Sequence, residues 1–428
     1  MPPDNHFDLL IVGAGPAGLA AALAASTSQK DTRIALIDEN QALGGQIWRQ
    51  DLASKHPQPD SATWLEILSS PLLHFIPGAR VISQPSPRTL LAETPNDCMT
   101  LSYNRLILAP GARERFLPFP GWTLPNVMGA GALQALVKSG LPIAGKTVVV
   151  AGSGPLLLAV AAYLYKKHAN IPFIAEQAPR SRVLRFALGL LRSPDKLSQA
   201  LQLKLALRNV PYHTTCWPVA AQGVDRLESV TLTNGRHSWT QPCDYLACGF
   251  GLVPNTELPR SLGCQIRLGS VVVDETQATS VPGILCAGEA TGIGGLEKSL
   301  LEGAIAGHSA TGRLDAARAL LKSRKKALAF AESLERTFAL RPELKALPTP
   351  ETIVCRCEDV PLSLLLPYSS SRAAKLQTRC GMGPCQGRIC GPALEFLLDW
   401  PPDSIRPPIF PTKLGSLAAT AKNIRNNP

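Results

Sequence analysis

The chain has 428 residues, 45% of them apolar and 18% charged, and a formal net charge of +11. That length allows two or three domains with substantial cores, and the composition is that of a folded globular protein, not a disordered one. No apolar run approaches the roughly eighteen residues of a membrane span, and no secretory signal is visible, so a cytoplasmic protein is expected. The basic residues are spread out, densest at Arg324, Lys325 and Lys326. Without interleaved aromatics, they predict a solvated face or a surface for an acidic partner, not a nucleic-acid site.

The first recognisable unit spans Phe7 to Asn40. An apolar run, Phe7 to Val12, suits a buried parallel strand, and Gly13, Gly15 and Gly18 follow in GxGxxG spacing. In such a turn the first glycine takes the bend, the second lets backbone approach a pyrophosphate, and the third lets helix and strand pack closely. A helix opening at Pro16 and Ala17 directs its N–H groups at that pyrophosphate. A second strand, Ile34 to Ile37, ends at Asp38 and Glu39, where an acid meets a ribose hydroxyl. The stretch therefore predicts a dinucleotide site. Just beyond it, Gly44 and Gly45 mark another close backbone approach.

Short apolar pieces from Leu73 to Leu101 predict a small meander. A buried strand, Leu106 to Ala109, then ends near Gly111, at the sheet edge where ligands bind. At Lys146 the pattern restarts as strand, turn and helix, with a further strand ending at Glu176. Here Gly152 and Gly154 are present but Leu157 fills the third glycine position. The second turn is read either as a scaffold or as a site for another adenine nucleotide, ATP or NAD(P). Leucines between basic residues from 180 to 208 predict one or two amphipathic helices. Asn234-Gly235 predicts a hairpin.

The chain then returns to the first sheet. Residues 281–310 read as strand, glycine loop and small-residue helix, with Gly288 and Glu289 placed to meet a ribityl hydroxyl. The helix start near Gly295 would face a second phosphate or the flavin edge. A second contact of this kind points the first site to FAD. A helix is expected over 313–339 and a proline-rich linker over 341–352.

Of the eleven cysteines, six stand alone: Cys98, Cys216, Cys243, Cys248, Cys264 and Cys286. They read as reduced, mostly buried thiols. The other five, Cys355, Cys357, Cys380, Cys385 and Cys390, crowd together and signal a metal site. Paired thiolates at short spacing suit a [2Fe–2S] cluster, with zinc as the alternative. Glycines around Cys380 and Cys385 offer N–H groups to the sulfurs. A helix opening at Cys385 would favour Cys355, Cys357, Cys380 and Cys385 as ligands, with Cys390 as the alternative fourth.

Taken together, IVGAGPAGLAAA, DENQALGGQIWR, LILAPGARERFLPFPGW, ACGFGLVPNTEL, ILCAGEATGIGG, VCRCEDV and TRCGMGPCQGRICG resemble one family. It is the α subunits of heteromeric flavin dehydrogenases, which include opine oxidase, hydrogen cyanide synthase and D-hydroxyproline dehydrogenase. The resemblance runs from residue 7 to residue 391. It implies an α/β fold with two nested Rossmann-like dinucleotide-binding domains, of the pyridine nucleotide–disulfide reductase type, and a small α-rich module similar to bacterioferritin-associated ferredoxin. It also implies FAD contacts at Gly13, Gly15, Gly18, Asp38, Gln46 and Glu289, and cluster ligands at Cys355, Cys357, Cys380 and Cys385. The implied partners are an FAD-dependent β subunit that carries the substrate site and a small ferredoxin-like γ subunit.

The expected domains are 1–122 with 265–340 for FAD, 123–264 for the second nucleotide fold, and 353–415 for the cluster. The expected function is electron relay in an enzyme oxidising the C–N bond of an amino or imino acid. The alternatives are a self-contained NAD(P)H-dependent flavin reductase and a non-catalytic scaffold subunit. No cysteine pair lies near the expected flavin, so disulfide reduction is not predicted. Arg49, Arg113 and Arg115 are the residues expected to orient an anion.

Overall fold

The computed structural model describes residues 5–27, 32–48, 73–402 and 404–418. Arg49 lies outside them. The chain divides into two compact units, one of Met1–Arg113, Val253–Glu332 and Ser404–Pro428, the other of Glu114–Leu252 and Ser333–Asp403.

The first unit is built on a seven-stranded sheet. Strands β1 (His6–Val12), β2 (Ile34–Ile37), β3 (Leu73–Ile76), β4 (Arg80–Ser86), β5 (Thr89–Glu93) and β6 (Cys98–Leu108) lie in the order β3-β2-β1-β6-β5-β4. The short strand Ile284–Cys286 pairs in parallel with the end of β6. β1 is parallel to β2 and β6, while β4, β5 and β6 are antiparallel. The sequence pattern explains this division. β2 is buried at every residue, as a strand covered on both faces must be. β6 alternates through Leu101 and Tyr103, then becomes wholly buried at Leu106, Ile107 and Leu108, where its partners are parallel. The expected meander is thus half right, because β3 joins the parallel part of the sheet.

Two small-residue helices, Pro16–Ser26 and Gly295–Ala310, pack together beside this sheet. A Cβ at Gly303 would lie 2.1 Å from the Ala17 carbonyl oxygen, and one at Gly307 would lie 2.3 Å from that of Ala21. Only glycine permits so close a crossing at these two points.

The second unit has a five-stranded parallel sheet in the order Tyr212–Thr214, Ile174–Glu176, Val148–Gly152, Tyr245–Gly249, Val127–Gly129. Val148 and Val150 share a core with Leu133 and Val137 of the helix Ala130–Lys138 and with Val160 and Leu164 of the helix Leu156–Lys166. Val149 and Ala151 face the opposite core, built from Phe119, Trp122, Trp217 and Phe250. A three-stranded antiparallel sheet, Trp217–Gln222, Ser229–Thr233 and Ser238–Pro242, contributes to that core, and its second hairpin turns at Asn234-Gly235 as expected.

The unit boundaries differ from the sequence expectation. Residues 341–352 are not a free linker. Pro342–Ala346 forms a 3-10 turn whose Leu344 is fully buried in the same core as Phe119 and Trp217. The cysteine segment therefore belongs to the second unit, although Val354, Leu365, Leu394 and Trp400 give it a small core of its own. Near the C-terminus the chain rejoins the first unit, where buried Ile409 donates its N–H to the Ile82 carbonyl. The long helix Leu314–Phe338 matches the sequence expectation, and the boundary between the units falls within it. Among the described residues no helix is long and apolar enough to cross a membrane.

Candidate functional site

At the C-terminal end of β1 the chain turns at Gly13, whose φ is +106°. A Cβ at Gly18 would sit 1.8 Å from the Gly13 carbonyl oxygen, so the third glycine of the motif sets the close strand–helix packing. The Asp38 carboxylate is held rigidly. One oxygen accepts from Ala14 N at 2.6 Å, and the other accepts from Asn40 N at 2.8 Å and Asn40 Nδ2 at 2.7 Å. Gly44 N donates to the Ala14 carbonyl at 2.8 Å and lays the GGQ segment against the turn. A Cβ at Gly45 would come within 2.9 Å of Gly15 Cα, and a Cβ at Gly111 would meet nothing within 4 Å. Gln46 and Ile47 are exposed beside this seam. Side-chain-free backbone at the end of β1, with an anchored acid and a helix N-terminus, fits a dinucleotide. Glu39 is placed otherwise, pairing with Arg80 at 2.8 Å on the surface.

The returning glycine loop is also built as expected, with one difference. Glu289 does not project freely. Its two oxygens accept from Gly294 N at 2.8 Å and Gly295 N at 2.9 Å, capping the helix that was expected to face a phosphate. Burial pushes its carboxyl above the usual carboxylate range. Beneath the loop lies a charged network that the sequence reading missed. Lys298 Nζ donates to the Gly288 carbonyl at 2.9 Å, to Thr291 Oγ1 at 2.8 Å and to Glu302 at 2.8 Å. Glu302, fully buried, also accepts from Gly288 N at 3.1 Å and pairs with Arg324 at 3.1 Å. The i,i+4 spacing of Lys298 and Glu302 on an otherwise small-residue helix was the available signal. Of the expected anion-orienting arginines, Arg113 is engaged by Asn255 at 2.7 Å and Glu257 at 2.9 Å. Burial lowers the Arg115 pKa.

The second glycine turn is arranged differently. Glu176, at the ribose-acid position, is fully buried and accepts from Gly154 N at 2.7 Å, Ala178 N at 2.8 Å and the Tyr212 hydroxyl at 3.3 Å. Burial pushes its carboxyl up to about 7. Ser153 donates to the Phe338 carbonyl at 2.8 Å, and Gln177 Nε2 donates to Ser153 Oγ at 2.9 Å and to the Ala339 carbonyl at 3.2 Å. Leu157 is fully buried against Gly249. The groups that would recognise a nucleotide here are engaged by the chain's own backbone and side chains.

In the cysteine segment, Cys355 ends the strand Ile353–Cys355, Cys380 follows the helix Ser371–Thr378, and Cys390 opens the helix Cys390–Leu398. The expectation of a helix opening at Cys385 is corrected. Gln386 and Gly387 have φ of +50° and +75°, outside the right-handed helical region, so the helix begins only at Cys390. The Sγ atoms of Cys355, Cys380 and Cys390 all lie within 4.8 Å of one another, and all three residues are buried. Hydrogen bonding from Cys380 and Cys390 holds the Cys355 thiol well below its ordinary range, and Gly381 N donates to its sulfur at 3.4 Å. Cys357 is exposed and in hydrogen-bond contact with half-buried Cys385. Three converging sulfurs, one stabilised as thiolate, fit a thiophilic metal centre. The isolated cysteines behave differently, since burial is the main force that pushes Cys216 and Cys243 up to about 12.

Residues 7–311 match the family model for pyridine nucleotide–disulphide oxidoreductases, and the chain belongs to that family. It is an FAD-dependent oxidoreductase of the branch that contains opine oxidase and hydrogen cyanide synthase subunits. An opine oxidase subunit of Rhizobium meliloti is 30% identical, over 97% of this chain and 88% of its own length. The hydrogen cyanide synthase subunit HcnB of Pseudomonas protegens is 32% identical, over 89% of each. Among solved structures, L-proline dehydrogenase from P. horikoshii matches the fold with a TM-score of 0.67 at 20% identity, over 96% of this chain and 79% of that one.

Proposed function

We propose that the chain is the electron-transfer subunit of a heteromeric dehydrogenase that oxidises the C–N bond of an amino or imino acid. In this reading it carries FAD at the first glycine turn and a [2Fe–2S] cluster at the cysteine segment. A partner flavoprotein holds the substrate, and a small ferredoxin-like protein is a further partner. The observation that carries the reading is the combination of a built dinucleotide turn with three converging buried sulfurs in one chain. The relatives, each named as one subunit of an oxidase or synthase, support a heteromeric setting.

Gly13, Gly15, Pro16, Ala17 and Gly18 would hold the pyrophosphate, and Asp38 would orient the adenosine ribose. Gly45, Gln46, Gly111 and Gly288 would line the flavin, with Glu289 fixing the helix start beside it. For the cluster, the five thiols sort into an inner group and an outer pair. Cys355, Cys357 and Cys385 would hold the cluster. Either Cys380 or Cys390, whose sulfurs both converge on that of Cys355, would be the fourth ligand. A flavin takes up an electron pair and a [2Fe–2S] cluster carries one electron at a time, which is the chemistry of a relay.

The alternative, direct reduction by NAD(P)H, draws support from the retained Gly152 and Gly154. Against it stand the internal partners of Glu176, Ser153 and Gln177. Anaerobic mixing of the purified chain with NADH separates the two. The relay reading predicts that the flavin stays oxidised until a substrate-bearing partner and its amine are added. Rapid bleaching by NADH alone would make the chain a self-contained reductase.

A further inference from the structure

Two helices of the second unit, Arg180–Gly189 and Pro194–Ala206, contain no buried residue. Both nevertheless carry apolar seams at helical spacing. Leu184 and Leu188 stand one turn apart, continued by Leu191 in the adjoining 3-10 turn, and Leu201 and Leu205 also stand one turn apart. These five leucines are between 53% and 71% exposed. Pro194, Leu197, Leu201 and Leu205 line a single shallow groove. An amphipathic helix is stabilised by burying such a face, and apolar side chains left in water at helical spacing mark an interaction surface.

Charge narrows the choice of occupant. From Arg180 to Arg208 there are seven arginines and lysines and one acid, Asp195, so this short stretch supplies more than half of the chain's net charge. Arg180, Arg182, Arg185, Lys204 and Arg208 are exposed in the same stretch of chain as the leucines. A second copy of the chain would bring the same positive rim against itself, which electrostatics opposes. Carboxylates around an apolar ridge would complement it.

We propose that this leucine seam with its basic rim is the docking face for the substrate-bearing partner, whose matching surface is apolar at its centre and acidic at its edge. The inference rests on the proposed function in requiring such a partner, and it adds which surface receives it. Leu188 and Leu205 are the central anchors, with the basic residues steering the encounter.

The test is co-expression of the full chain with the flavin-bearing dehydrogenase partner, followed by tagged purification of wild type and of the double variant Leu188→Glu/Leu205→Glu. Retention of the partner by the variant should fall at least about tenfold, as expected when central anchors are lost. Its own flavin and iron content and its thermal unfolding should match wild type, because neither leucine is buried. Equal retention by the double variant overturns the docking face while leaving the relay reading intact. If no flavin-bearing partner co-purifies with wild type, both proposals fail. Co-sedimentation with phosphatidylglycerol vesicles is measured in parallel. Leucine-dependent binding there would assign the face to a lipid surface and overturn the proposal.

Discussion

Glu302 is the residue on which the returning loop depends most. It is fully buried between Lys298 and Arg324 and also accepts the Gly288 N–H. Replacing it with leucine leaves Lys298 buried without its countercharge, which costs about 3–5 kcal/mol. Urea unfolding of Glu302→Leu should show that loss, together with weaker flavin retention. A shift within about 1 kcal/mol, on the scale of ordinary surface changes, would show that the network has no structural weight. Glu176 makes a pH prediction. Burial raises its carboxyl to about 7 in the folded chain, so the folded state holds this proton more tightly than the unfolded chain does. Its contribution is full below the usual carboxylate range and is lost as pH rises through 7, a fall of about 3 kcal/mol at about 1.36 kcal/mol per unit. Thermal melts from pH 5 to pH 8 should therefore fall less steeply for Glu176→Gln than for wild type. Parallel curves would contradict the assignment.

At the scale of elements, the glycine turns and cysteine loops show how far sequence reaches. The strand, turn, helix and acid of the first unit were legible because each obeys a local rule, from the buried run at Leu9–Ile11 to Asp38 at the end of β2. The parallel sheet, the Asn234-Gly235 hairpin and the Leu314–Phe338 helix were legible for the same reason. Features decided by tertiary partners were not. Nothing local says that Glu289 turns back to cap Gly294 and Gly295, or that Leu344 inserts into a core formed by Phe119 and Trp217. The helix start at Cys390 depends on positive φ at Gln386, a conformation that sequence does not advertise. That start removes the ground for preferring Cys380 to Cys390 as the fourth ligand. Serine at Cys355, Cys357 or Cys385 should remove most of the bound iron, whereas one of Cys380→Ser and Cys390→Ser should retain it. Iron loss in Cys380→Ser with retention in Cys390→Ser would restore the ligand set first read from the sequence.

For the whole molecule, the chain crosses four times between two units with nucleotide-type folds, and the two have diverged in what their glycine turns offer. The first keeps a side-chain-free seam from Gly15 to Gly45, with its acid held at the end of β2. The second encloses its acid completely and bonds its turn to Phe338 and Ala339. On the proposed reading the first turn would hold the cofactor, the second is engaged by its own unit, and the cysteine segment supplies a second redox candidate. The most direct measurement is the absorption spectrum of the freshly purified chain, combined with flavin and iron analysis. The account predicts one FAD and about two iron atoms per chain, with cluster absorption beneath the flavin bands. Flavin without iron, or zinc in its place, would contradict it.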